Sequence, residues 1–168
     1  MIPYVIMIIS LLLDGLLTNY FPYLVNDLSL FTPMLTIISI ICIYPFYQKQ
    51  EKKYYITVFI LGIIYDMLYT NLLFWNAILF LLLAVIIRFI YKNYEVTPIR
   101  LILYSISIIS TYEALTGLFL FTFQLVPVTI SKVIYKITHS LILNILYAEI
   151  IYGILKWIPK KYKRISIN

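Results

Sequence analysis

The feature that most constrains this chain is its division into long apolar runs separated by short polar breaks. The runs fall at about 2–20, 28–47, 54–71, 72–91, 101–123 and 137–158. Each approximates the roughly 20 residues that a helix needs to cross the hydrocarbon core of a bilayer. The breaks carry turn chemistry: Pro22 with Asn26 and Asp27, the polar stretch 48–53, Thr70 with Asn71, the stretch 92–98, and Pro127. The third and fourth runs touch, so a very tight turn within 69–75 must join them. The expected fold is an all-α integral membrane protein, a bundle of about six transmembrane helices forming one polytopic domain over residues 1–168.

Composition excludes the soluble alternative. Hydrophobic residues make up 63% of the chain and the mean hydropathy is +0.97, against roughly 45–50% apolar content in ordinary soluble domains. Charged residues, 12% of the total, gather between the runs instead of alternating with them. The first run lacks a basic leader and a small-residue cleavage site and contains Asp14, so it is expected to be retained as a span. Cys42, the single cysteine, lies inside an apolar run; a disulfide framework and a cysteine-rich metal site are excluded, and a buried inert thiol is expected. The net charge of +6 does not point to nucleic acid, because the basic residues sit at the ends of apolar runs, where membrane lipids are their partners.

Those basic residues also orient the chain. Lys49, Lys52 and Lys53 follow the second run; Arg88, Lys92 and Arg100 flank the end of the fourth; Lys156, Lys160, Lys161, Lys163 and Arg164 follow the sixth. Eleven of the 13 basic residues thus fall on one side, with Lys132 and Lys136 the exceptions. By the positive-inside rule both termini are expected in the cytoplasm. Residues 124–136 then form the longest external segment, lying on the membrane surface or against a partner.

Four acids fall inside the runs: Asp14, Asp66, Glu113 and Glu149. A charge at bilayer depth costs at least about 2.5–3.5 kcal/mol, so each needs a partner, water or a proton and should face the bundle interior. Arg88 is the one basic residue well inside a run, near enough to its end to snorkel, so cations do not neutralise all four. The acids can be read as a proton or cation path, or as polar glue between helices with Asn19, Asn76, His139 and Asn144 as hydrogen-bond partners. The second is the reading taken. Gly62, Asp66 and Thr70 recur at a spacing of four and share one helix face, with Gly62 allowing close approach of another helix one turn from the carboxylate. Glu113 and Gly117 make a similar pair.

No catalytic constellation is visible: there is no HExxH, no Gly-rich phosphate loop and no GxSxG. His139, the lone histidine, has no second ligand to complete a metal site, and no cofactor is implied. The 17 tyrosines, with Trp75 and Trp157 near run ends, fit aromatic belts at the two membrane interfaces.

The segment Gly62-Ile63-Ile64-Tyr65-Asp66-Met67-Leu68-Tyr69-Thr70-Asn71-Leu72-Leu73 resembles the signature of the third span in MreD, the rod shape-determining membrane protein family, in its Gram-positive form. Length, span number, a proline opening the second span (Pro33) and a basic tail are similar too, with weaker echoes at Tyr112-Glu113 and at Leu143-Asn144-Ile145. The bulky Phe74-Trp75-Asn76 departs from the family, where a small residue after the Leu-Leu pair is common. The resemblance implies a non-enzymatic scaffold of the bacterial cell membrane that associates with the bitopic protein MreC and, through it, with peptidoglycan synthases and the actin-like MreB. Gly62, Tyr65, Asp66, Thr70, Glu113, Gly117 and Asn144 are then the candidate residues of partner or helix–helix interfaces. The alternative is the substrate-binding S component of an energy-coupling factor vitamin transporter, also with six spans. Such subunits carry an Ala-xxx-Ala motif on the first helix, and residues 2–21 contain no alanine.

Overall fold

The computed structural model describes residues 2–20, 33–70, 72, 74–93, 97–124 and 129–157. Among these residues the chain is helical throughout, with no strand: α1 (Ile2–Tyr20), α2 (Leu35–Ile43) continued by a 3-10 turn (Tyr44–Phe46), α3 (Glu51–Tyr69), α4 (Trp75–Asn93), α5 (Pro98–Thr122) and α6 (Ile130–Trp157). Four of these, α1, α4, α5 and α6, are long and apolar enough to cross a membrane. The 19-residue α3 carries Glu51, Lys52 and Lys53 in its first turn and Asp66 near its other end.

Helix ends follow local chemistry. Thr97 caps α5, its Oγ1 accepting from the Arg100 amide at 3.3 Å, and Pro98 takes the first helical position, where no amide hydrogen is needed. Gln124 closes α5 with φ 53, the left-handed turn that commonly ends helices. Phe74 is less usual: it has φ 67 in the tight connection between α3 and α4, a conformation that glycine tolerates and a bulky side chain does not favour.

The helices α3 and α4 pack as one hairpin and α5 and α6 as another, while α2 touches α1, α4, α5 and α6 and so occupies the centre. All nine residues of α2 are buried. The second run, expected as a span over 28–47, is helical only over 35–46, with 28–32 outside the described residues. Leu35, its first residue, is buried, and with the 3-10 turn the helix runs to Phe46 before the chain reaches the surface at 48–50. Its N-terminal amides and its buried carbonyls must therefore be satisfied by side chains of other helices.

At its C-terminal end two tyrosines do this. Tyr54 Oη donates to the Ile40 carbonyl at 3.1 Å and Tyr91 Oη to the Ile41 carbonyl at 3.0 Å. Tyr44 packs edge-on against Tyr54 with ring centroids 5.0 Å apart, and against Tyr91 at 5.1 Å. These three rings are buried, so the aromatic-belt expectation is corrected for them: they are core residues placed where a buried helix leaves carbonyls unpaired.

The external segment expected over 124–136 is also shorter than its polarity suggests. Helix α6 starts at Ile130, with the Thr129 carbonyl accepting from Lys132 at 3.0 Å and Val133 at 3.2 Å. The early start gives Val133 a neighbour at Gly117 and brings Lys136 to Glu113.

Candidate functional site

The intramembrane acids organise the bundle, and the first of them, Asp14, lies near the end of α1. Its Oδ1 accepts from the Leu35 amide at 2.8 Å, and its Oδ2 accepts from the Thr36 amide at 2.8 Å and from Thr36 Oγ1 at 2.5 Å. The next free amide of the same helix end, Met34, donates to Asn144 Oδ1 of α6 at 2.8 Å, and Asn144 Nδ2 donates to the Ser140 carbonyl at 2.6 Å. The N-terminus of α2 is thus capped from two other helices, with a carboxylate at the positive end of the helix dipole.

The same device recurs at Asp66, near the end of α3. Its Oδ1 accepts from Thr70 Oγ1 at 2.8 Å, from Asn76 Nδ2 at 2.8 Å and from the Asn76 amide at 3.2 Å, while its Oδ2 accepts from the Ala77 amide at 3.2 Å. It caps α4. Asn76 Oδ1 in turn accepts from Tyr112 Oη of α5 at 2.7 Å, so one chain of hydrogen bonds joins α3, α4 and α5. Gly62 makes the approach possible: a Cβ there would lie 2.8 Å from the Ala77 nitrogen and 3.0 Å from the Asn76 oxygen. Tyr65 packs edge-on against Phe80 of α4, ring centroids 5.4 Å apart, and against Tyr69 at 5.1 Å. Tyr69 reaches α1, where its Oη donates to the Leu11 carbonyl at 2.7 Å and its ring lies against Gly15.

Glu113 is handled differently. Its carboxylate is buried and lies 3.9 Å from Lys136 Nζ, whose own side chain is largely exposed. Gly117, one turn on, meets Val133, with a Cβ there 2.9 Å from Val133 Cγ2. Glu149 is half-buried on α6, and its Oε1 is buried without a hydrogen-bond partner among the described residues.

Several sequence expectations change here. Lys136, counted as a loop residue, is the cation beside Glu113, because α6 starts early enough to bring it to that depth. Arg88, near the end of α4, gains an ion pair with Glu51 in the first turn of α3 at 2.7 Å, a partner the sequence did not assign. Among the described residues His139 serves its own helix: Nδ1 lies 2.9 Å from the Tyr135 carbonyl, and its ring stacks on Tyr135. Asn19 is exposed on α1. Sequence reasoning missed Thr36, three residues after Pro33, and named Tyr112 only as an echo of the family, without its hydrogen bond to Asn76. Among the described residues no group of three His, Cys, Asp or Glu is placed to hold a metal ion.

Asp14 and Asp66 hold helix ends, and Asp66, Thr70 and Asn76 of the motif-bearing hairpin meet at one junction. The family model of the rod shape-determining protein MreD matches residues 1–161. The chain belongs to the MreD family. It is therefore a member of a membrane protein family whose role is the determination of rod shape, a structural role and not one known as enzymatic. No curated protein and no solved structure matches the chain.

Proposed function

We propose that this MreD-family chain is a multi-pass scaffold of the bacterial cell membrane, crossing it six times with both termini in the cytoplasm, that binds an MreC-like bitopic protein and through it supports peptidoglycan synthases and MreB. The observation that carries the reading is the family match over nearly the whole chain. The geometry supports it physically: Asp14 and Asp66 are fully engaged as helix caps, and Glu113 has a cation beside it. Among the described residues little lies outside helices, so partners are met there through helix faces. The vitamin-transporter alternative finds no support in the family match.

Two experiments test this. Purification in mild detergent after co-expression should recover an MreC-like protein with the chain, and its absence in repeated pull-downs would overturn the scaffold role. Reporter fusions and thiol labelling should place residues 160–164 in the cytoplasm; an external tail would overturn the six-span topology.

A further inference from the structure

At the end of the bundle where α1 and α3 begin, four groups able to donate hydrogen bonds gather with no carboxylate among them. Tyr47, just after the 3-10 turn, is only 4% exposed, yet its Oη is buried with no hydrogen-bond partner among the described residues. Its ring packs beside that of Tyr54, centroids 6.0 Å apart, next to Lys53 at the start of α3. The hydroxyls of Tyr4 on α1 and Thr57 on α3 lie close to it, and Lys53 is within electrostatic reach of Tyr4. Thr18, Thr111, Thr122 and Thr138 each donate to the carbonyl four residues before, whereas Thr57 turns its hydroxyl to the two tyrosines. Lys53 is exposed and has no ion pair among the described residues, because Glu51 beside it is taken by Arg88 at 2.7 Å.

An apolar groove continues from this cluster. Helices α1 and α3 run parallel, since Tyr4 meets Thr57 near one end and Gly15 meets Tyr69 near the other. From Tyr4 to Gly15 the helix rises about 16 Å, roughly one leaflet of a hydrocarbon core about 30 Å thick. Lys53, Thr57, Ile60 and Ile64 recur at spacings of three and four and so share one face of α3. Ile60 and Ile64 are exposed along that face, as is Ile8 on α1.

We infer that the α1–α3 groove binds one anionic phospholipid, its phosphate among Lys53, Tyr4, Tyr47 and Thr57 and an acyl chain along Ile8 and Ile60. The site needs no protein partner and so goes beyond the scaffold reading. Charge decides the headgroup: a phosphodiester accepts from an ammonium and from hydroxyls. With Glu51 already paired, no carboxylate among the described residues of this end is left for the amine of a zwitterionic lipid. The apolar continuation decides for a lipid over free phosphate, which would leave Ile8 and Ile60 uncovered.

The test uses the full chain, purified in mild detergent, stripped of lipid and titrated with phosphatidylglycerol, phosphatidylcholine or inorganic phosphate. Thermal unfolding and native mass spectrometry follow stability and retained lipid in the wild type, Lys53→Gln, Tyr47→Phe and the control Lys92→Gln at the exposed end of α4. Phosphatidylglycerol should stabilise the wild type, phosphatidylcholine far less, and phosphate not at all. Lys53→Gln and Tyr47→Phe should unfold at the wild-type temperature without lipid but bind phosphatidylglycerol about fivefold more weakly, the equivalent of about 1 kcal/mol. Lys92→Gln should bind as the wild type does. Should Lys53→Gln unfold by itself, Tyr47→Phe, which keeps its ring, decides alone. Wild-type binding by Tyr47→Phe would overturn the site, and so would equal weakening by Lys92→Gln, the mark of general surface charge. Equal stabilisation by phosphatidylcholine would overturn the anionic headgroup, and stabilisation by inorganic phosphate would overturn the lipid.

Discussion

Asp14 and Asp66 each hold the N-terminus of the helix that follows their own, yet they reach it over 21 and 10 residues of chain. Asp66 acts within a hairpin: the turn after α3 returns the chain directly, and Gly62 lets α4 settle against the carboxylate. Asp14 acts across the bundle, with Asn144 of α6 supplying the third acceptor, so its site exists only once α1, α2 and α6 have assembled. The local cap stabilises a pair of neighbours. The distant cap fixes the central helix, whose N-terminus lies inside the bundle with no water to satisfy its amides.

That difference makes Asp14 the more consequential of the two. Asp14→Leu leaves the buried amides of Leu35 and Thr36 unpaired, at about 1–3 kcal/mol for each. The expected outcome is a large drop in thermal stability in detergent, with Cys42, buried on α2 in the wild type, becoming reactive to a thiol reagent. Unchanged melting and an unreactive Cys42 would break the contrast.

Gly62→Leu should come next. Its side chain meets Ala77 and Asn76 backbone, which cannot rotate away, so α3 and α4 must separate at a cost of about 1–3 kcal/mol. Thermal unfolding measures this directly, and Gly153→Leu, where a Cβ meets nothing within 4 Å among the described residues, provides the comparison.

Asp66→Leu should cost about 1–3 kcal/mol through the donors it leaves unpaired. Asp66→Asn should be mild, because one oxygen already serves Thr70 and both Asn76 donors, and only the 3.2 Å bond from Ala77 is lost. At Asp14 the donors are split between both oxygens, so Asn should be worse there than at Asp66. Stability and retained partner for the four variants test the ordering. Equal, severe loss with Asp66→Asn at normal protein levels would point to a titrating role instead of a cap.

The smallest effect belongs to the third acid. Lys136 is mostly exposed and 3.9 Å from Glu113, so Lys136→Met should change stability by only about 0–1 kcal/mol. A larger loss on thermal unfolding would place the α5/α6 pair on the same footing as the two caps.

The sequence by itself determined that the chain is a helical membrane protein, because the length and apolarity of its runs leave no other solvent for most of its side chains. It also made the Gly62–Asp66–Thr70 face legible, since helical periodicity places residues four apart on one side whatever the rest of the bundle does. The tight turn before Trp75 was legible too, from the contact of two runs. Only the tertiary structure decided that the second run contributes a short central helix, that Tyr54 and Tyr91 belong to the core, and that Asp14 answers to Leu35 and Thr36. Those pairings join residues distant along the chain, and no local pattern encodes them. They exist because a helix end buried away from water must find its hydrogen bonds on whichever side chains the packing brings within reach.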